Sequence, residues 1–180
     1  MKKISTNTSI LSIILGATML LAGLVFLDGV VVIGVFGIIL GAAYIFAGLL
    51  TSLNLKNDVA NMLRGIIYLS AFPLFTFVYY LVVLIYGAKG FGVSDWIFAI
   101  LILLTSLAGS ALGAASFFIK NEAVNKLLRL AVYLFIGLLV ILQVFPIGGG
   151  IASIGDLVIY EIVHIVCYFL IAKGFVEIKE

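Results

Sequence analysis

The chain has 180 residues, 65% of them apolar, and a mean hydropathy of +1.39. Ten Lys/Arg against eight Asp/Glu give a net charge of +2, and a soluble domain, with apolar usage of about 45–50%, carries a far larger polar share. No basic run points to nucleic acid, and the single cysteine, Cys167, excludes an internal disulfide and a cysteine-based metal cluster.

Six apolar stretches follow one another, each near the length of about 20 residues that a membrane span needs. The first covers about Ser9 to Leu27. It follows Met1-Lys2-Lys3 but is expected to be retained, because no small-x-small cleavage site precedes Asp28. After a tight turn at Asp28-Gly29, the second covers about Val30 to Leu53, and the third about Met62 to Tyr86 with Pro73 inside it. That proline removes a backbone hydrogen bond and predicts a kink, with Thr76 placed to face a cavity. The fourth covers about Trp96 to Ile119, with Ser94 or Asp95 as its expected N-cap. The fifth runs from about Leu127 to Phe145 and stops at Pro146, and the sixth covers about Leu157 to Val176. The expectation is an all-α membrane protein, one transmembrane domain over residues 1–180, with six helices in a compact bundle.

The charges orient this zigzag. Lys2, Lys3, Lys56, Arg64, Lys120, Lys126, Arg129, Lys173 and Lys179 fall on one side, and Lys89 alone on the other. In short loops such a bias sets topology, so both termini are expected in the cytoplasm of a multi-pass protein of the cell membrane. Asp28, Asp95 and Asp156 lie in the outer turns. Tyr86, Phe91 and Trp96 gather at the outer end of the third and fourth stretches, where amphipathic rings favour the interface.

Internal repetition is visible twice. Lys56-Asn57-Asp58, Leu63-Arg64 and Tyr68-Leu69 are matched by Lys120-Asn121-Glu122, Leu128-Arg129 and Tyr133-Leu134, each set preceded by Leu-Gly-Ala-Ala. This predicts a duplicated helix–cytoplasmic loop–helix unit, with Lys56, Arg64, Lys120 and Arg129 as its cations. Gly16 and Gly23 in the first stretch are matched by Gly41 and Gly48 in the second, seven residues apart in each case. Seven residues are close to two turns, so each pair shares a helix face that lets another backbone approach. Gly37 with Gly41, and Gly109 with Gly113, form GxxxG patterns of the same kind. These glycines are expected to pack helices within the chain.

Paired helices with Gly-x6-Gly on both arms and a short outer turn resemble the hairpin unit of the HdeD-type small membrane proteins. The resemblance covers roughly residues 10–55 and departs in the outer turn, where Asp28-Gly29 stands in place of the usual proline. It implies three such hairpins and a link to acid stress, with no defined chemistry.

Ionisable groups inside a membrane are costly and mark functional candidates. The sixth stretch holds Tyr160, Glu161, His164 and Tyr168 at spacings of three and four, on one stripe. Gln143, near the outer end of the fifth, is placed to approach Glu161. Such a stripe can relay protons, hold a cation or orient a polar solute; a structural hydrogen bond between Glu161 and His164 accounts for it equally. One histidine leaves too few ligands for a metal site, and neither a cofactor motif nor a pattern of membrane catalysis appears.

Two functions remain. One is an accessory or interaction protein without its own chemistry, acting through the bilayer or another membrane protein. The other is a solute-binding or transport subunit with an outward polar pocket. Its size and helix count resemble the membrane-embedded substrate-binding subunits of energy-coupling-factor vitamin transporters, but the first stretch lacks their AxxxA-type docking surface.

Overall fold

The computed structural model describes residues 6–53, 58–119, 121–144 and 165–172. Among them the chain consists of helices and turns. We number the helices α1 (Thr6–Phe26), α2 (Val31–Ser52), α3 (Asp58–Gly87), α4 (Val93–Phe118) and α5 (Glu122–Val144). A single 3₁₀ turn, Ala88–Gly90, lies between α3 and α4. A last helical segment, α6, spans 165–172, and the rest of the expected sixth helix lies outside the described residues.

Four of these helices are long and apolar enough to cross a bilayer: Asn7–Phe26, Val31–Ser52, Val59–Tyr86 and Val93–Ala115. Large apolar side chains cover their outer surfaces, among them Ile14, Val35, Phe46, Leu81 and Leu104. Hydrocarbon is the solvent that such a surface suits, and within each span the helix satisfies its backbone donors and acceptors internally.

Helix starts depart from the hydropathy pattern in one direction. α3 begins at Asp58 rather than Met62, and α5 at Glu122 rather than Leu127. Hydropathy marks where the chain turns apolar, whereas the helix nucleates earlier, in the polar residues before the span. At α5 the nucleus is visible: the Asn121 side-chain oxygen accepts from the N–H of Ala123 and Val124 at 3.1 and 3.3 Å, an N-cap. At α4 the cap residue is Gly92, in place of the expected Ser94 or Asp95. Asp95 instead lies three residues into the helix and reaches back, its carboxylate accepting from the Gly92 N–H at 2.8 Å.

The chain divides into two compact units, Met1–Ala71 with Val166–Glu180, and Phe72–Ile165. In the first unit α1 and α2 form an antiparallel hairpin whose buried face is made of small residues. A Cβ built on Gly16 would lie 2.5 Å from the Gly41 carbonyl oxygen, and one on Gly41 would lie 2.6 Å from that of Gly16. Nearer the turn, Gly23 stands in the same relation to Gly34, with 2.8 Å in both directions. At the far end Gly48 meets the Ser9 carbonyl at 2.9 Å, and the Ser9 hydroxyl donates to the Gly48 carbonyl at 2.7 Å. The rungs Ser9–Gly48, Gly16–Gly41 and Gly23–Gly34 thus advance seven residues along α1 and retreat seven along α2. A Cβ built on Gly37 would lie 3.1 Å from the Gly23 Cα. Backbones this close gain dispersion and weak Cα–H···O contacts that larger side chains forbid.

The connecting turn places no such demand on its glycine. A Cβ at Gly29 would meet nothing within 4 Å, and its backbone stays out of the left-handed region.

In the second unit α4 buries Ala99, Ile102, Ser106, Gly109 and Gly113, a stripe with alternating spacings of three and four. α5 contributes Val132 and Ile136, both essentially inaccessible. α3 is helical on both sides of Pro73. A Cβ on Gly109 would lie 3.6 Å from the Pro73 ring and 3.5 Å from Phe135, ordinary contact distances, so α4 passes beside the proline ring with room for a methyl group. Thr76, expected to face a cavity, is 1% exposed, and its hydroxyl has no hydrogen-bond partner among the described residues.

Candidate functional site

Polar side chains of the first unit gather on the inner faces of its helices. Ser9 and Ser12 lie one turn apart on α1, and their hydroxyls donate to the carbonyls of Gly48 and Tyr44 on α2, each at 2.7 Å. Ser9 also shares a hydrogen bond with the Ser52 hydroxyl. A serine that donates to the facing helix ties two backbones together without the bulk that would separate them.

A column of three tyrosines stands beside this seam. The Tyr44 ring is wholly buried, 6.4 Å from the Tyr68 ring at an interplanar angle of 18°, and 5.6 Å from the Tyr168 ring at 53°. Such separations give aromatic pairs a modest stabilisation beyond their buried area. The Thr51 hydroxyl donates to the Ala47 carbonyl at 2.8 Å, so its oxygen is left to accept from the Tyr68 hydroxyl at 3.2 Å. The Tyr168 hydroxyl donates to the Met19 sulfur at 2.9 Å, joining α6 to α1.

One turn before Tyr68 on α3 lies Arg64, 2% exposed. Its Nε donates to the Ala60 carbonyl at 3.3 Å and Nη1 to the Leu50 carbonyl at 3.4 Å, while Nη2 donates to Asn61 Oδ1. Leu50 lies in the last turn of α2, where carbonyls lack intrahelical partners and the helix dipole is negative. The guanidinium therefore performs for α2 the role of a C-terminal cation supplied by another helix. Arg64 was expected to be a cation of a cytoplasmic loop, and the helix that begins at Asp58 folds it inward instead.

Of the proposed polar stripe, Tyr168 is described, and it is packed against Tyr44 and Met19. Tyr160, Glu161 and His164 lie outside the described residues, as do Lys56 and Lys120. Gln143 and Arg129 belong to α5, but their side chains lie outside the described part. Gly16, Gly23, Gly37, Gly41 and Gly48 lie at the α1–α2 seam, and Gly109 lies at ordinary contact distance from Pro73 and Phe135. Among the described residues, no three His, Cys, Asp or Glu side chains come together in a group that could hold a metal ion.

Sequence reasoning overlooked Tyr44, Thr51 and Met19, named Tyr68 only as part of the repeat, and stopped the glycine pairs one rung short at each end. The missing rungs, Ser9 and Gly34, lie seven residues before Gly16 and Gly41, so the signal was present once serine is counted as small. The tyrosine column had no local signal, because its members come from α2, α3 and α6.

Apart from the buried Tyr44 hydroxyl, these groups bond backbone carbonyls, hydroxyls, the Asn61 amide oxygen and a thioether, a chemistry that orients helices. The structure thus describes an integral membrane protein of apolar helices in contact with lipid. No family model, curated protein or solved structure matches the chain.

Proposed function

We propose that this protein is an accessory or interaction protein of the cell membrane, a six-helix bundle with both termini in the cytoplasm and no catalytic chemistry of its own. The observation that carries the reading is the use of polar side chains in the first unit. Ser9, Ser12, Thr51, Tyr68, Tyr168 and Arg64 direct their hydrogen bonds to neighbouring helices or to backbone carbonyls. Groups so engaged set helix positions and leave their donors unavailable to a solute. The resemblance of residues 10–55 to the HdeD-type hairpin unit is part of the same proposal, and the paired-glycine seam is what supports it.

The competing reading makes Glu161 and His164 the centre of a solute or proton pathway. Proteoliposomes containing a pH-sensitive dye decide between the two. Under our reading the wild-type protein, Glu161→Gln and His164→Ala all relax an imposed proton gradient at the rate of empty vesicles. Faster relaxation by the wild type, lost in both variants, would overturn the accessory role in favour of transport.

A further inference from the structure

The segment between α3 and α4 has a construction that the rest of the bundle does not call for. Two helices long and apolar enough to cross a bilayer end and begin here, Val59–Tyr86 and Val93–Ala115, and by that length and composition the residues between them are expected where hydrocarbon gives way to headgroups. The chain crosses this boundary in a tight 3₁₀ turn, Ala88–Gly90, that presents Lys89 to solvent. Beyond it the Phe91 and Trp96 rings meet edge to face, their centroids 5.9 Å apart at 74°. This pairing fixes the indole while leaving Trp96 41% exposed, beside Val93 at 79%. Tyr86 closes the other side of the turn at 73% exposure. In the same segment the Asp95 carboxylate is turned back and accepts from the Gly92 N–H at 2.8 Å.

We propose that residues 86–96 form a binding site for an anionic phospholipid headgroup, and that this site sets the depth of the second unit in the bilayer. The phosphate pairs with the Lys89 ammonium, and the indole of Trp96, one turn into α4 beyond Val93, lies just beneath it with its N–H toward the headgroups. Tyr and Trp take such positions because one end of each ring system is apolar and the other donates a hydrogen bond. The ammonium on its flexible stem reaches a phosphate from the turn. Lys89 is the cation of this segment, and its charge calls for a phosphate headgroup rather than a neutral sugar lipid. The site does not depend on whether the bundle serves a protein partner.

Trp96 is the only tryptophan in the chain, so its fluorescence reports this site alone. The full-length protein is placed in phosphatidylcholine vesicles with and without phosphatidylglycerol, using acyl chains brominated at either shallow or deep positions. Quenching is expected to be strongest for shallow bromines, with little quenching by aqueous acrylamide. Phosphatidylglycerol is expected to shift the emission to shorter wavelength and to be enriched around the wild-type protein. A basic residue near the surface is worth about fivefold in attraction for anionic lipid, so Lys89→Glu should lower that enrichment by at least about fivefold. Phe91→Ala should broaden the depth profile, since it removes the ring that holds the indole. Strongest quenching by deep bromines, free access of acrylamide, or wild-type enrichment in Lys89→Glu would each overturn the proposal.

Discussion

Single atoms decide which glycines this protein can change. A methyl group on Gly16 would press on the Gly41 carbonyl oxygen at 2.5 Å and the Ile45 backbone nitrogen at 2.7 Å, so α1 and α2 must separate to admit it. Gly16→Ala is expected to destabilise the protein by about 1–3 kcal/mol, the usual range for overpacking. Gly109→Ala adds a methyl group at ordinary contact distances of 3.5–3.6 Å and gains helix propensity. It is expected to be neutral or to stabilise by up to about 1 kcal/mol. Unfolding in mixed micelles with increasing dodecyl sulfate measures both, and equal losses would contradict the packing described. Thr76 makes a complementary case. Its buried hydroxyl has no hydrogen-bond partner among the described residues, and an unsatisfied group of this kind costs about 1–3 kcal/mol. Thr76→Val keeps the shape and removes the polar atom, so the same titration should show a gain in stability. A marked loss would mean that the hydroxyl has a partner within the membrane.

Elements show how far the sequence could be read. Helix existence was legible from runs of apolar residues, and the polar residues between them located the turns. Helix beginnings were less so: Asp58 and Glu122 start their helices in polar segments where hydropathy is silent. Facing surfaces were harder still. The buried face of α1 and α2 differs from the exposed face in its small residues and a few hydroxyls, Ser9, Ser12 and Thr51, rather than in charge. Glycine spacing read that difference along most of the seam and missed its end, where Ser9 replaces glycine. The tyrosine column and the inward turn of Arg64 depend on contacts between distant helices, which no local pattern encodes. At α5 the element-scale expectation is a single capping energy. Asn121→Ala removes the acceptor for the Ala123 and Val124 N–H groups and should cost about 1 kcal/mol, visible as a lower thermal midpoint in detergent. Asn121→Asp should retain most of the stability, since aspartate caps equally well.

At the scale of the whole molecule, charge asymmetry and hydrocarbon length act together. The cation bias predicts that a reporter fused after Glu180 reads cytoplasmic, and one inserted in the 3₁₀ turn Ala88–Gly90 reads external. Opposite readings at both positions would invert the topology while leaving the helix packing untouched. Buried polar groups in the first unit link separate helices: serine hydroxyls join α1 to α2, Arg64 and Tyr68 join α3 to α2, and Tyr168 joins α6 to α1. Tyr168→Phe removes the bond to Met19 and keeps the ring, so it should leave the α1–α2 hairpin intact while loosening α6. Hydrogen exchange that rises in residues 165–172 and stays unchanged across α1 and α2 is the expected pattern.

The seven-residue ladder between α1 and α2 also has a consequence for biogenesis. Its rungs lie within one contiguous stretch of chain, and the first, Gly23–Gly34, sits next to the turn. The hairpin can therefore zip outward from that turn, each rung bringing the next into reach, with no loop to close beyond the one already made. Both arms are complete once Ser52 has been synthesised. Register is thus settled while α3 is still on the ribosome, and the later helices meet a finished template rather than a pair of strangers in the bilayer.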